Sequence, residues 1–302
     1  MNKEIKPNLF IIGAPKSGTT LLYEQLRTHQ DIFMCIPKEP NYFCSDFSNL
    51  QYVDSYKEYI NLFRNCKSNV KVIGEASAWY LYSKSAIDNI YNFNKDAKII
   101  VMIRNPIEVV LSLHSHFLFN FYEVENSFIN AWKLQKERKN GKFIPKQCKE
   151  SRLLQYKDAT KIGTQLEKLY TIFPDKQIKC ILLEDYIEKK YLIYNEILEF
   201  LSINPGHQPS FKKINSEKTH KVLWINRILL NPPSLFRWLW KKVKNIFGPN
   251  IIRYADKIIL LNTKRSKNKF EKKIHKIVAN EYDSEIMKMS KILNKDLTAW
   301  TK

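Results

Sequence analysis

Two of the chain's seven glycines lie five residues apart in a short polar segment that follows an apolar run. The segment is Gly13–Thr20, with the sequence GAPKSGTT, and the apolar run is Asn8–Gly13. A turn of this kind between a strand and a helix can bind phosphate through its backbone N–H groups, its hydroxyls and a lysine. An ordinary tight turn is the alternative. The sequence therefore predicts phosphate binding by Lys16, Ser17, Gly18, Thr19 and Thr20.

The spacing of the two glycines matches the phosphate loop of nucleotide triphosphatases, but the lysine does not. Thr19 stands where that motif has its lysine, and the lysine of this chain lies inside the loop, at position 16. A kinase with this loop would also need a Mg²⁺-binding Asp at the end of a strand, whereas the predicted strand Lys98–Ile103 is followed by Arg104. A kinase and a non-enzymatic binding protein stay open as alternatives.

A second candidate phosphate site begins at Arg104. Ser112 follows eight residues later, and Pro106 takes the favoured first position of a helix between them. A guanidinium at a strand end offers a fixed fork to a phosphate, and Ser112, about two helical turns on, faces the same crevice. Taken alone, Arg104 could instead be a helix-capping ion-pair partner, and Ser112 a small buried residue.

These two segments resemble motifs of the sulfotransferases that use 3′-phosphoadenosine 5′-phosphosulfate (PAPS). IIGAPKSGTTLLYEQLRTH resembles the 5′-phosphosulfate loop of the carbohydrate-type and bacterial branches, and VMIRNPIEVVLSLHSHF resembles the 3′-phosphate motif, with Arg104 and Ser112 at the matching positions. The FP-x-x-x-I run at Phe173–Ile178 also resembles the family, and the similarity extends over residues 8–204. The resemblance implies PAPS as co-substrate, its desulfated form PAP as product, and no metal.

A third resemblance concerns the catalytic base. Pro37–Phe43 (PKEPNYF) resembles the K-E-P-x-x-F segment of glycosaminoglycan-type sulfotransferases, whose Glu is the proposed base. It implies that Glu39 accepts the proton of an acceptor hydroxyl, and it favours a carbohydrate as acceptor. Because a residue before proline is biased to extended backbone, we expect Glu39 to be extended and to project into a cleft. Lys16 would stabilise the leaving phosphate oxygen.

Other residues compete with Glu39 for the role of base. Glu75 follows a predicted strand, and His114 and His116 lie on the helix of the second motif. The alternative for Glu39 itself is a solvated loop carboxylate that pairs with Lys38 and has no catalytic role.

The elements that would position these residues alternate between short apolar runs and amphipathic stretches. The pattern predicts an α/β, P-loop-like three-layer fold, with a central parallel sheet and helices on both faces over residues 1–211. Residues 212–302 are predicted to be a basic, mainly helical extension of the same single sulfotransferase domain. The predicted strands are Asn8–Gly13, Lys71–Gly74, Lys98–Arg104 and Gln177–Glu184, and the predicted helices run to about Thr28, from Pro106, and over Glu150–Phe173 and Tyr191–Leu201.

Composition bounds the class of protein. The chain has 302 residues, of which 44% are hydrophobic, so a disordered protein is excluded. Five cysteines without a C-x-x-C pair disfavour a disulfide framework and a zinc site. The apolar run Leu9–Ile12 is too short for a secretory signal. We expect a cytoplasmic protein with reduced cysteines.

The positive charge is concentrated in one stretch. The net charge is +20, and residues 212–276 hold 18 basic and 3 acidic side chains. Within this stretch, Pro233–Phe247 (PSLFRWLWKKVKNIF) interleaves apolar and basic residues at helical spacings. Such a segment is typical of a helix packed on the core with a solvated lysine face, or of a peripheral contact with an anionic membrane. No nucleic-acid partner is expected.

Overall fold

The computed structural model describes residues 6–209, 218–220, 263–265 and 277–301. Contacts divide the chain into two compact units. The first unit combines residues 1–110, 155–215 and 271–302, and the second combines residues 111–154 and 216–270.

The first unit contains a five-stranded, fully parallel sheet. Its strands are β1 (Leu9–Gly13), β2 (Ile32–Met34), β3 (Val72–Ala76), β4 (Lys98–Ile103) and β5 (Ile178–Leu182). Their order in the sheet is β2-β3-β1-β4-β5. The predicted α/β class with a central parallel sheet is therefore confirmed. Four of the strands match predicted ones to within a few residues, whereas β2 was not predicted.

Helices connect the strands of the sheet. The α-helices whose bounds the structure describes are α1 (Thr19–Leu26), α2 (Tyr56–Asn61), α3 (Ala86–Phe93), α4 (Pro106–Phe119), α5 (Phe128–Lys133), α6 (Gln135–Lys139), α7 (Tyr156–Ala159), α8 (Ile162–Ile172), α9 (Leu183–Glu188), α10 (Lys190–Phe200) and α11 (Asp283–Leu293). Short 3₁₀ turns span Ser45–Leu50, Ser151–Leu154, Asp175–Gln177 and Thr298–Thr301.

Both faces of the sheet are buried, which explains why its strands are continuously apolar. All five residues of the central strand β1 are buried. Leu9 and Ile11 belong to a cluster on one face that includes residues of α1, α9 and α10. Phe10 points to the other face, where its ring meets Phe43 and Phe93 edge-on at centroid distances of 5.8 and 6.5 Å.

The long helix predicted over Glu150–Phe173 is wrong, because the structure divides this stretch into a 3₁₀ turn, α7 and α8. The backbone leaves the helical region at Gln155 (ψ 70°) and again at Lys161 (ψ 61°). The hydroxyl of Thr160 donates to the carbonyl of Tyr156 at 2.7 Å and is also bonded to the hydroxyl of Tyr282. Tertiary contacts to the C-terminal residues thus override the local helical pattern.

In the described part of the second unit, a buried ion pair joins the loop after α4 to α6. The Arg138 guanidinium binds both oxygens of Glu123, at 2.6 and 2.7 Å, and both side chains are almost fully buried. This unit also contains a two-stranded antiparallel ribbon of β6 (Lys218–His220) and β7 (Thr263–Arg265).

The basic segment Pro233–Phe247 lies outside the described residues, so its predicted helix and membrane contact stay predictions. Of the helices that the structure describes, none has the length and apolar character needed to cross a bilayer.

Candidate active site

The predicted phosphate loop joins the end of β1 to α1, as the sequence indicated. Gly18 caps the N-terminus of α1 with a left-handed backbone (φ 90°). This conformation favours glycine, and a Cβ here would also lie 2.6 Å from Cδ1 of Leu183, so that side chain would have to move. Lys16 also has a positive φ, of 61°, which turns the loop sharply before the helix.

The N-terminus of α1 is suited to an anion. The first N–H groups of a helix have no carbonyl partner within it, and they carry its positive partial charge. Here no side chain caps them, and the first turn contains no acidic residue. The structure therefore offers these donors to a phosphate group.

The side chains of the loop differ in exposure. Ser17 is buried, and its hydroxyl donates to the Pro15 carbonyl at 3.4 Å. Thr19 is buried as well, whereas Lys16, Gly18 and Thr20 are partly exposed. Lys16 and Thr20 are accordingly the loop side chains best placed to meet a ligand.

Arg104 lies next to this loop, immediately after β4. Its Nη1 is 3.4 Å from the carbonyl oxygen of Lys16, and its Nε donates to Glu108 at 2.7 Å. This Arg–Glu contact is the ion pair that the alternative interpretation expected. Both side chains are about a third exposed, so the ion pair contributes little to stability. The remaining N–H donors of the guanidinium are suited to binding a phosphate.

Ser112 is buried on α4, in the part of that helix that belongs to the second unit. Its predicted contact with a 3′-phosphate stays a prediction.

Glu39 does not have the extended backbone that its position before Pro40 led us to expect. Its φ is 61°, in the left-handed region, and its N–H donates to the Ala76 carbonyl at 2.9 Å. Its Oε2 accepts from the N–H of Ala78 at 2.9 Å, and its Oε1 is in contact with the Lys38 ammonium. Contacts with the end of β3 therefore determine this conformation, and they outweigh the local proline effect.

The sheet register brings Glu39 and the phosphate loop to the same edge. Ile11 of β1 pairs with Ala76 of β3, and the turn after β3 returns to β1 where Leu81 N–H donates to the Ile12 carbonyl at 2.8 Å. A Cβ on Gly13 would lie 3.2 Å from the Ala78 carbonyl oxygen. Ala78, whose N–H binds the Glu39 carboxylate, therefore lies next to Gly13 at the start of the loop.

Glu75, the alternative base, is fully buried at the end of β3. Its carboxylate accepts hydrogen bonds from the hydroxyls of Tyr59 at 2.6 Å, Ser77 at 2.9 Å and Tyr80 at 3.2 Å. Burial raises its pKa from an ordinary 4.5 to about 7, against the effect of these three donors, and the charge of Glu39 adds to the rise. An enclosed carboxylate of this kind cannot reach an acceptor hydroxyl.

The two histidines differ in their surroundings. His114 is buried, with Nε2 bonded to the Glu125 carbonyl at 2.8 Å, and burial lowers its pKa. His116 is exposed. Both belong to the second unit.

Tyr59 and Tyr80, which bind Glu75, are not among the site residues predicted from the sequence. Tyr80 follows it by five residues, so the pattern E-x-S-x-x-Y at a strand end was a usable signal. Tyr59 lies on α2, sixteen residues before Glu75, and no local spacing connects the two. Within the described ranges, no cluster of three or more His, Cys, Asp or Glu side chains could hold a metal ion.

A family profile and several known proteins match this chain. The profile of the family described as "Sulfotransferase domain" matches residues 6–276. The chain is 35% identical over 113 residues to the membrane-associated sulfotransferase kil1 of Dictyostelium discoideum, which covers 37% of this chain and 23% of that protein. It is 24% identical over 251 residues to carbohydrate sulfotransferase 15 of Mus musculus, covering 66% of this chain and 44% of that protein. The chain therefore spans less than half the length of these two relatives.

The fold also matches a solved structure. A sulfotransferase from Alicyclobacillus acidocaldarius superposes with a TM-score of 0.72 at 19% identity, covering 99% of this chain and 100% of that one. This likeness shows that the two chains share their fold.

The buried carboxyl of Glu75 should make stability depend on pH. Its pKa is higher in the folded chain than in the unfolded chain, so between the two values only the folded state holds the proton, and stability falls as pH rises. In Glu75→Gln this contribution is absent. From about pH 5 to about pH 8.5, the wild type should lose about 2.5 kcal/mol of unfolding free energy relative to the variant, measured by urea denaturation. Parallel pH curves for the two proteins would contradict the raised pKa.

Proposed function

The chain belongs to the sulfotransferase domain family, and from that membership we propose that it transfers a sulfuryl group from PAPS to a hydroxyl group of a carbohydrate. PAPS is the co-substrate of this family. The observation that carries the proposal is the contact of Arg104 with the Lys16 carbonyl, because it joins the two candidate phosphate sites at one edge of the sheet.

The two ends of the nucleotide would bind to different elements. The loop residues Lys16, Ser17, Gly18, Thr19 and Thr20 would hold the 5′-phosphosulfate through backbone N–H groups and exposed side chains. Arg104 and Ser112 would hold the 3′-phosphate, with the guanidinium exchanging its exposed Glu108 contact for a phosphate that carries more charge.

Sulfuryl transfer needs a proton acceptor and a charge stabiliser. The acceptor oxygen forms a bond to sulfur while the bond from sulfur to the 5′-phosphate oxygen breaks, and the acceptor proton moves to Glu39. The Glu39 carboxylate is one-third exposed, and its two present contacts leave lone pairs for an incoming hydroxyl. The Lys16 ammonium would stabilise the negative charge on the leaving phosphate.

The relatives support the acceptor class and a membrane contact. One is named as a carbohydrate sulfotransferase, and the Glu39 segment resembles that of glycosaminoglycan-type enzymes. Another is named as membrane-associated, which is consistent with the predicted peripheral contact of Pro233–Phe247 with anionic lipid. We place the protein in the cytoplasm, where this segment would either pack on the core or contact an anionic membrane surface.

Transfer of label tests the activity directly. The protein should move sulfur label from PAPS to polysaccharide acceptors in the presence of EDTA, and PAP should form in equal amount. Label that moves only to small alcohols would overturn the carbohydrate acceptor, and no PAP formation with any hydroxyl acceptor would overturn the reaction.

Arg104→Ala should weaken binding of PAP much more than binding of adenosine 5′-phosphate, which lacks the 3′-phosphate. Loss of a charge-assisted contact predicts about 2–3 kcal/mol for PAP alone, measured by titration calorimetry. Glu108→Gln is the matched control, because it breaks the same ion pair but keeps the guanidinium, and it should bind PAP at least as tightly as the wild type. Equal losses for both nucleotides in Arg104→Ala would show that Arg104 does not contact the 3′-phosphate.

Glu39→Gln should lower kcat by about 10²–10⁴-fold and leave PAP affinity nearly unchanged, since it removes only the proton acceptor. The amide oxygen of Gln can still accept from Ala78 N–H, so the local backbone is kept. Glu58→Gln, which neutralises an exposed carboxylate on α2, serves as the control and should keep full turnover. Wild-type turnover in Glu39→Gln would exclude it as the base.

A further inference from the structure

The buried carboxylate of Glu75 is surrounded by hydroxyl groups from two elements. Tyr59 comes from α2, and Ser77 and Tyr80 come from the turn after β3. Above about pH 7, where Glu75 is ionised, its carboxylate can only accept, so each of these hydroxyls directs its single proton toward it. The direction of all three hydrogen bonds is therefore determined by Glu75.

Two of the three hydroxyls also contact the segment that carries Glu39. The N–H of Asn41 donates to Ser77 Oγ at 3.1 Å, and the N–H of Phe43 donates to Tyr80 Oη at 3.3 Å. Because each hydroxyl proton is directed to Glu75, its lone pairs face these amides. Two parallel chains of hydrogen bonds thus run from the backbone of residues 41 and 43, through a hydroxyl, to one carboxylate.

The backbone conformation of residues 39–43 depends on contacts with other parts of the chain. Glu39 and Asn41 both have left-handed backbone, with φ of 61° and 52°. This conformation costs Glu39 about 1–2 kcal/mol, whereas asparagine adopts it more readily. Glu39 itself is bonded to the same turn through the Ala76 carbonyl and the Ala78 N–H. Four hydrogen bonds therefore attach residues 39–43 to residues 75–80, and two of the four depend on Glu75.

We propose that Glu75 is a positioning residue for Glu39, and that through Ser77 and Tyr80 it holds segment 39–43 in the conformation that presents the Glu39 carboxylate. The catalytic consequence rests on the proposed function, whereas the hydrogen-bond chains can be tested without any activity.

Tyr59 provides the matched control. Its hydroxyl donates to the same carboxylate, yet its contact with the Glu39 segment is made by its ring, which stacks on Tyr42 at a centroid distance of 4.4 Å. Tyr59→Phe keeps that ring and removes a donor from Glu75. Ser77→Ala and Tyr80→Phe each remove a donor from Glu75 and, in addition, an acceptor from the segment.

Amide hydrogen exchange followed by NMR tests the chains directly. Ser77→Ala should speed exchange at the Asn41 amide, and Tyr80→Phe should speed exchange at the Phe43 amide. Each rate should rise about tenfold, because each variant loses one hydrogen bond that protects the amide. Tyr59→Phe should change neither amide. Equal effects of all three variants on both amides would mean general loosening and would overturn the proposal, as would unchanged exchange in Ser77→Ala and Tyr80→Phe.

Kinetic measurements in the wild-type and the Glu39→Gln backgrounds then distinguish a positioning role from a general loss of stability. Ser77→Ala and Tyr80→Phe should each lower kcat about tenfold with PAP affinity unchanged, and neither should lower it further when Glu39 is already Gln. An equal loss in both backgrounds would overturn the positioning role. If Glu39→Gln alone keeps wild-type turnover while the exchange pattern is as expected, the hydrogen-bond chains stand and the proposed base is wrong.

Discussion

Parallel pairing of β1 with β3 on one side and β4 on the other is the constraint on which the candidate site depends. In a parallel sheet the carboxyl ends of neighbouring strands meet at the same edge. The phosphate loop follows β1, the turn that binds Glu39 follows β3, and Arg104 follows β4. Residues about 90 positions apart are thereby brought together by burial of three short apolar strands, and the reactive groups need no direct attraction for one another.

Charge is distributed unevenly along this edge. On the β4 side, an anion is favoured by Lys16, by Arg104 and by the N-terminus of α1, which no side chain caps. On the β3 side lie two carboxylates, one partly exposed at Glu39 and one enclosed at Glu75, and the charge of Glu39 contributes to the raised pKa of Glu75. The arrangement suits a reaction in which negative charge develops on a phosphate at one end and a proton is accepted at the other.

The sequence was sufficient to predict secondary structure where the local residue pattern and the burial agree. The apolar runs of β1, β3, β4 and β5 predicted a parallel sheet, and the glycine–lysine loop predicted the start of α1. Prediction failed where distant contacts decide the structure. Bonds to Ala76 and Ala78 give Glu39 a left-handed backbone, Tyr282 bonds Thr160 within the predicted long helix, and Tyr59 reaches Glu75 from a separate helix. The three-residue strand β2 (Ile32–Met34) is too short to produce a recognisable alternation.

We propose that this edge of the sheet recognises a nucleotide carrying both a 3′- and a 5′-phosphate. Thermal unfolding of the wild-type protein with PAP, with ATP plus Mg²⁺ and with duplex DNA distinguishes this from the other ligands. We expect PAP alone to raise the melting temperature strongly, with no need for a metal ion. Strong stabilisation by ATP plus Mg²⁺ or by DNA, with none by PAP, would contradict it.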